Sequence, residues 1–202
     1  MSTPPALSGA VIAGGSSSRL GTDKRLVMVD GAPLLARTVA TLRGLVDDVT
    51  VVVARSEDVD LVRATAGDDV TVGLDARTDI GPAAGLEVAL AGARHPRVLV
   101  VAADHPVLSV AVLELLAARA AATDALAVAL TGPRGAEPFL AVYRRDALRK
   151  VRATLDAGTR RMQEVLAALD PDLIADDEWR ALDPHGRTLD DVDVPEDLER
   201  LT

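Results

Sequence analysis

The sequence predicts an α/β fold of three layers, in which helices cover both faces of a mainly parallel sheet. Short, continuous apolar runs rich in β-branched residues recur along the chain, which is typical of strands buried on both faces. Segments with helical spacing separate these runs, and such alternation favours parallel strands joined by right-handed crossovers. A chain of 202 residues that is 49% hydrophobic has enough apolar side chains for the core of such a domain.

The individual elements follow from local patterns in chain order. Buried strands are predicted at residues 10–13, 49–53, 70–74, 98–102 and 125–129, and a further strand at 137–143. In the segment 33–46, apolar residues recur at helical intervals and form one face, namely Leu35, Val39, Leu42 and Val46. Further helices are predicted in the segments 86–93, 110–121, 145–155 and 159–169.

The last part of the chain has weaker patterns. Residues 170–184 are acidic and lack periodicity, so we expect them to be irregular. Residues 191–194 are predicted as a short strand or turn, and Asp193 is expected to cap a final helix that begins at Pro195. Because no linker or internal repeat is present, we expect one domain over residues 1–202.

Composition argues against several classes of function. The net charge of −9 disfavours a nucleic-acid partner, because phosphate backbones are bound by basic surfaces. No apolar run has the length of a membrane span, and residues 1–5 lack the features of a signal segment. The sequence contains no cysteine, which excludes disulfides and thiol nucleophiles and fits a reducing, cytoplasmic location.

A glycine-rich loop follows the first predicted strand. Residues 10–24 read AVIAGGSSSRLGTDK, an apolar run that ends at Gly14 and Gly15 and continues into a polar loop with Arg19 and Lys24. Glycines allow the backbone to approach a ligand closely, and free N–H groups with two cations suit a triphosphate. The spacing differs from both G-x-x-x-x-G-K-[ST] and G-x-G-x-x-G. We therefore predict a nucleotide site of another type near the N-terminus.

This loop resembles the signature of the MobA-like nucleotidyltransferases, roughly L-A-G-G-x-S-x-R-M-G-x-D-K. The resemblance extends over residues 7–201, with five motifs in the family order. It implies a Rossmann-like fold of the nucleotide-diphospho-sugar transferase type, and catalytic roles for Arg19 and Lys24 in neutralising the nucleotide phosphates. Nucleotide binding, largely through backbone groups, is implied for Ile12, Ala13, Gly14 and Gly15.

Asp104 lies at the carboxyl end of the predicted strand 98–102, where open α/β sheets bind their ligands. Mg²⁺ favours one or two carboxylates together with phosphate oxygens and water, so this residue is a candidate metal ligand. From the residues alone, a helix cap before Pro106 explains it equally well. The resemblance implies a metal-binding, nucleotide-binding and catalytic role, since Asp104 matches the Asp of a C-D-x-P-x-L motif with Ala103 in place of Cys.

Further positions are assigned by the resemblance. Asp75 precedes the sequence GPAAG at 81–85 and matches a nucleotide-contacting Asp of the family. A glycine-containing helix start also offers free N–H groups to a polar ligand. Asp193 lies in DVDVPEDL at 191–198, where guanylyltransferases of the family more often have Asn, and is a candidate second metal ligand. Glu137 begins EPFLAVYR at 137–144 and replaces the usual His or Gln.

The resemblance implies a Mg²⁺-dependent nucleotidyltransferase that transfers GMP from GTP to the phosphate of molybdopterin and releases pyrophosphate. The N-terminal half is expected to bind the nucleotide and the C-terminal half the acceptor, with transient contact to other enzymes of molybdenum cofactor synthesis and no membrane partner. Alternatives within the class are a cytidylyltransferase of molybdopterin and an enzyme for phospholactate or a sugar phosphate. A non-catalytic, nucleotide-binding partner domain is the alternative outside the class. The joint presence of Arg19, Lys24 and Asp104 argues against it.

Overall fold

The computed structural model describes residues 6–14, 23–75, 77 and 80–191 of the chain. Within these ranges the strands are β1 (Leu7–Ile12), β2 (Met28–Val29), β3 (Ala32–Pro33), β4 (Val49–Val53), β5 (Thr71–Leu74), β6 (Arg97–Ala102), β7 (Ala127–Gly132), β8 (Gly135–Arg144) and β9 (Asp172–Ile174). The helices are α1 (Leu34–Arg43), α2 (Val59–Ala66), α3 (Pro82–Gly92), α4 (Val110–Ala122), α5 (Leu148–Asp156), α6 (Met162–Ala168) and α7 (Asp176–Arg180).

The order of the strands creates a switch point beside β1. The large sheet has the order β5-β4-β1-β6-β8-β7-β9, while β2 and β3 form a separate hairpin. Strands β5, β4, β1 and β6 are parallel neighbours, and β8 is antiparallel to both β6 and β7. The chain therefore proceeds from β1 outward to β4 and β5 and then crosses back to β6 on the other side of β1. This mainly parallel sheet confirms the predicted fold class.

Helices cover both faces of the sheet, as the sequence predicts. On one face, α1, α2, α4 and α7 pack against inward side chains such as Val11, Val51 and Leu99. On the other face, α3, α5 and α6 pack against alternate residues of the same strands, such as Ala10 and Val52. The alternation follows from the period of two in a β-strand and gives three layers with two apolar cores. Within the described ranges, no helix combines the length and apolar character needed to cross a membrane.

The expectation of an irregular segment at residues 170–184 is wrong. Strand β9 pairs in parallel with β7, and α7 carries the fully buried Trp179. The indole Nε1 of Trp179 donates a hydrogen bond to the Thr131 carbonyl at 3.0 Å. Both elements are too short for periodicity to reveal them, and contacts with the rest of the fold stabilise them.

Other elements differ from the sequence prediction in extent. The hairpin β2–β3 and the helix α2 fall in segments for which no element was predicted, and β7 begins and ends later than the predicted strand at 125–129. The predicted strand at 10–13 overlaps a longer strand that begins at Leu7 and ends at Ile12. Such shifts of a few residues are expected, because pairing and packing decide where an element ends.

Candidate functional site

The carboxyl ends of β1 and β6 lie side by side at the switch point. Ile12 pairs with Ala102, and the Ala103 N–H donates a hydrogen bond to the Ile12 carbonyl at 3.1 Å. Gly14 and Asp104, each two residues beyond its strand end, both line a cavity. A Cβ on Gly14 would lie 3.2 Å from the Ala54 backbone nitrogen, so glycine allows the chain leaving β1 to approach the end of β4 closely.

A 3₁₀ turn at Lys24–Leu26 brings Lys24 to this cavity. Asp23 caps the turn, because its Oδ1 accepts a hydrogen bond from the Arg25 backbone N–H at 3.0 Å. The Arg25 side chain is buried and donates from Nη2 to Asp23 Oδ2 at 2.6 Å and to Asp58 Oδ1 at 2.9 Å. Hydrogen bonding to Asp23 raises the pKa of Arg25, and hydrogen bonds from Arg25 lower the pKa of Asp23 and of Asp58. This network fixes the turn that presents Lys24.

Lys24 and Asp104 form an ion pair inside the cavity. The Lys24 Nζ lies 3.8 Å from Asp104 Oδ2, and the two side chains are 20% and 33% exposed. The ammonium group is a donor for phosphate oxygens, whereas the carboxylate is a ligand of the kind that hard divalent cations prefer. A cation that can bind phosphate and a carboxylate that can bind a metal ion therefore lie together at one point of the sheet edge.

Strand β8 contributes the opposite wall of the cavity through a bulge. Ala129 pairs with Ala141 but the next residue, Leu130, pairs with Glu137, so one step along β7 corresponds to four along β8. Pro138 within the bulge cannot donate a backbone hydrogen bond, and its carbonyl accepts a hydrogen bond from the buried Tyr143 hydroxyl at 2.8 Å. Bulges commonly redirect side chains beside functional sites. Here Glu137, Pro138 and the neighbouring Phe139 line the cavity.

The electrostatics of this wall centre on Glu137. Burial raises the pKa of the Glu137 carboxyl, Asp191 adds to the rise, and the nearby Arg134 and His105 oppose it. Arg134 itself pairs with Asp191, with 3.4 Å between Nη2 and Oδ2. The His105 Nδ1 lies 3.1 Å from the Asp190 carbonyl oxygen. Asp191 lines the same cavity as Glu137 and Arg134.

The cavity has a volume of about 490 Å³, within the usual range for small-molecule sites. It extends from the β1 end and the Lys24 turn, across Asp104, to the β8 bulge and the start of α6. One side carries Lys24 and Arg25, and the other carries Glu137 beside the apolar Phe139 and Met162. The arrangement suits two ligands that meet near Asp104, one of them rich in phosphate.

Comparison with known proteins agrees with this geometry. The sequence model of the MobA-like NTP transferase domain matches residues 9–173 of the chain. The chain belongs to the MobA-like NTP transferase family. It is 38% identical over 197 residues to a probable molybdenum cofactor guanylyltransferase of Natronomonas pharaonis, with 95% of each chain covered. It is 33% identical to the molybdenum cofactor guanylyltransferase of Pseudomonas aeruginosa, with 95% of this chain and 92% of the relative covered.

Solved structures share the fold of this MobA-like chain. Molybdopterin-guanine dinucleotide biosynthesis protein A from Archaeoglobus fulgidus superposes with a TM-score of 0.83 at 22% identity, with 96% of each chain covered. A 4-diphosphocytidyl-2C-methyl-D-erythritol synthase from Anaerococcus prevotii superposes with a TM-score of 0.66 at 12% identity, covering 98% of this chain and 95% of that chain. Because proteins with such different names share the architecture, the fold alone does not determine the nucleotide.

The structure brings together several of the residues that the MobA-like motifs single out. Those that line the cavity are Ile12, Ala13, Gly14, Lys24 and Asp104. Those that lie outside the described residues are Gly15, Arg19 and Asp193, together with the predicted helix start at Pro195. Their roles stay predictions.

Asp75 lies away from the cavity. It follows β5, and its N–H donates a hydrogen bond to the Val53 carbonyl at 2.9 Å. Strand β4 separates β5 from β1, which puts Asp75 two strands, or roughly 10 Å, from the β1 end. Its Oδ1 accepts a hydrogen bond from the Arg77 N–H at 2.8 Å, and burial raises its pKa. Contact with a nucleotide stays a prediction that requires the ligand to extend across β4.

A cluster of metal-ligand side chains occurs elsewhere in the fold. Among the described residues, Asp47, Asp48 and His95 hold their ligand atoms within 4.8 Å of one another. They precede β4 and β6, whereas Asp104 follows β6. The six residues of β6 separate the two edges by about 20 Å. The His95 Nε2 already lies 2.7 Å from Asp47 Oδ1, and this cluster is remote from the cavity at the switch point.

Sequence reasoning gave no site role to Arg25, Arg134, Glu137 and Asp191, all of which line the cavity. Arg25 adjoins the predicted Lys24, but its partner Asp58 lies 33 positions away and no local pattern reveals the pair. The sequence did mark Glu137, because it replaces the His or Gln expected from the family motif. The bulge that directs it depends on a change of pairing between β7 and β8, which periodicity does not show.

Proposed function

We propose that this chain transfers GMP from GTP to the phosphate of molybdopterin, with release of pyrophosphate. The observation that carries the proposal is the Lys24–Asp104 pair at the switch point of the sheet, inside the cavity. Relatives that are 33–38% identical over 95% of the chain are named as molybdenum cofactor guanylyltransferases or probable ones, which supports GTP and molybdopterin as the two substrates.

The reaction requires that two anions meet and that charge on the leaving group be offset. An oxygen of the acceptor phosphate attacks the α-phosphorus of GTP, and the bond from that phosphorus to the bridging oxygen of the β-phosphate breaks. Negative charge then develops on pyrophosphate, and Lys24 and Arg19 offset it by donating hydrogen bonds to phosphate oxygens. Holding both substrates in one cavity converts an encounter between two like-charged molecules into a step between bound groups.

The residues present fit a divalent cation at Asp104. This carboxylate is one-third exposed, faces the cavity and has Lys24 as its neighbour, which suits Mg²⁺ shared with phosphate oxygens and water. When bound, Mg²⁺ supplies charge neutralisation and polarisation of the phosphoryl group. We assign Asp104 as a ligand and Asp193 as a second ligand.

We assign the two substrates to opposite ends of the cavity. The nucleotide binds toward β1, β4 and β5 through the backbone at Ile12, Ala13, Gly14 and Gly15, with Asp75 at its far end. The acceptor binds toward β8 and α6. This assignment is supported by the sheet order, in which β6 and Asp104 lie between β1 and β8, and it divides the chain into a nucleotide-binding first half and an acceptor-binding second half.

The test is an assay of nucleotidyl transfer with molybdopterin and each of the four NTPs in Mg²⁺, with pyrophosphate and the dinucleotide product measured. We expect GTP to be the preferred donor and Lys24→Met to lose about 10²–10³-fold in rate. Lys150→Met is the matched control, because Lys150 is exposed on α5. A preference for CTP would refute the guanylyl assignment, and normal transfer by Lys24→Met would refute the role of the Lys24–Asp104 pair.

A further inference from the structure

The Glu137 carboxylate is unexpected in a cavity assigned to two phosphate-containing substrates. Its side chain is half-buried in the cavity wall, and among the described residues none donates a hydrogen bond to its carboxylate. A carboxylate repels a triphosphate or a phosphorylated acceptor, and burial without a partner costs free energy. The group therefore calls for a ligand that brings its own hydrogen-bond donors.

The surroundings of Glu137 favour a flat, mostly apolar ligand. Pro138, Phe139 and Met162 line the same part of the cavity. A Cβ on Gly132 would lie 3.0 Å from the Glu137 Cδ, so the glycine leaves room for this side chain. Aromatic and aliphatic walls with one carboxylate are suited to a heterocycle that presents N–H groups along one edge.

The nearby basic side chains do not donate hydrogen bonds to the Glu137 carboxylate. Arg134 is 72% exposed and pairs with Asp191 instead. His105 is directed at the Asp190 carbonyl through Nδ1. Neither side chain donates a hydrogen bond to Glu137, and burial, the largest effect, raises the pKa of its carboxyl.

We propose that Glu137 determines acceptor specificity by accepting two hydrogen bonds from the 2-amino-4-oxopyrimidine edge of the pterin. A ring N–H and an adjacent amino group present two parallel donors there, which match the two oxygens of a carboxylate as a guanidinium does. The inference rests on the proposed function, from which the pterin acceptor is taken. A 2,4-dioxo ring has a carbonyl oxygen where the amino group stands, and the carboxylate rejects it because two acceptors face each other.

The guanine of GTP presents the same hydrogen-bonding edge as the pterin. The position of Glu137 in the sheet decides which of the two rings it binds. Glu137 lies on β8, which is two strands and roughly 10 Å from the β1 end to which the nucleotide is assigned. Asp104 lies between them, at the end of β6. A guanine base bound over β1 and β4 points away from β8, whereas an acceptor that approaches Asp104 from the other side brings its ring to Glu137.

The test compares two pairs of probes on the full chain. Pterin and lumazine differ in the 2-amino group, as do GTP and ITP, and the dissociation constant of each is measured for wild type and for Glu137→Gln. We expect wild type to prefer pterin to lumazine and Glu137→Gln to bind pterin about 10–100-fold more weakly, with the GTP/ITP ratio unchanged. Glu114→Gln, exposed on α4, is the matched control and leaves both ratios unchanged.

Each other outcome overturns the inference in a distinguishable way. If the ratio of the pterin and lumazine dissociation constants is the same in Glu137→Gln as in wild type, Glu137 does not determine acceptor specificity. A change in the GTP/ITP ratio instead assigns the carboxylate to guanine. If wild type fails to transfer GMP to molybdopterin, the proposed function itself fails. If transfer persists with no discrimination between pterin and lumazine, only the inference about Glu137 fails.

Discussion

Replacing Arg25 with Ala tests the network that fixes the Lys24 turn. The Arg25 side chain is 9% exposed and binds Asp23 and Asp58, which are 28% and 12% exposed. Removing one partner of a buried ion pair costs about 3–5 kcal/mol, and we expect about 3 kcal/mol because Asp23 is partly solvated. For a chain of this length, that loss lowers the melting temperature by about 6–12 °C. Thermal unfolding followed by circular dichroism measures it.

Arg43→Ala provides the matched comparison. Arg43 also pairs with an aspartate, Asp69, but the two side chains are 38% and 75% exposed. Exposed pairs contribute less than about 1 kcal/mol, so this variant is expected to lose no more than about 4 °C. If Arg25→Ala lowers the melting temperature no more than Arg43→Ala does, the buried network has no role in holding the turn.

Three further predictions concern the same network and the β8 bulge. Hydrogen bonding to Arg25 lowers the pKa of Asp58 in the folded state. The Arg25–Asp58 pair therefore stabilises the fold fully above the unfolded pKa of about 4, and this stabilisation is lost as the pH falls from there through the lower folded pKa. The difference in unfolding free energy between wild type and Arg25→Ala, measured in urea, should therefore shrink below pH 4; a constant difference contradicts this. Asp23→Ala removes both the cap and one of the two carboxylates that pair with Arg25, so it should cost at least about 0.5–2 kcal/mol, with a larger fractional loss of GMP transfer than of folded protein; a purely proportional loss contradicts it. Tyr143→Phe leaves the Pro138 carbonyl unpaired, so we expect a loss of about 1–3 kcal/mol and a raised KM for the acceptor but not for GTP; equal effects on both substrates contradict it.

The sequence predicted the sheet well, and with it the placement of two cavity residues at the sheet edge, for physical reasons. Continuous β-branched runs such as 49–53 and 98–102 occur where strands are buried on both faces, and both are strands in the structure. Asp104 and Gly14 each lie two residues beyond the end of such a strand. Since parallel strands end at one edge, locating the strands also locates these two residues beside each other.

Other parts of the cavity depend on long-range contacts that local sequence patterns do not contain. The Arg25–Asp58 pair spans 33 positions, and the position of Glu137 depends on how β8 pairs with two different strands. Strand β9 and helix α7 have three and five residues, and they are stabilised by pairing with β7 and by burial of Trp179. Such elements are decided by tertiary contacts, which outweigh local propensity in short segments.

The single-turnover rate of GMP transfer from GTP to molybdopterin in the variant Asp104→Asn tests most directly whether transfer takes place at the switch point. The substitution keeps the size of the side chain and removes the charge that Lys24 faces at 3.8 Å. We predict a rate about 10²–10³-fold below that of wild type, with a melting temperature equal to that of Asp177→Asn, an exposed control on α7. A rate for Asp104→Asn close to that of Asp177→Asn would contradict the assignment of the switch point as the site of transfer.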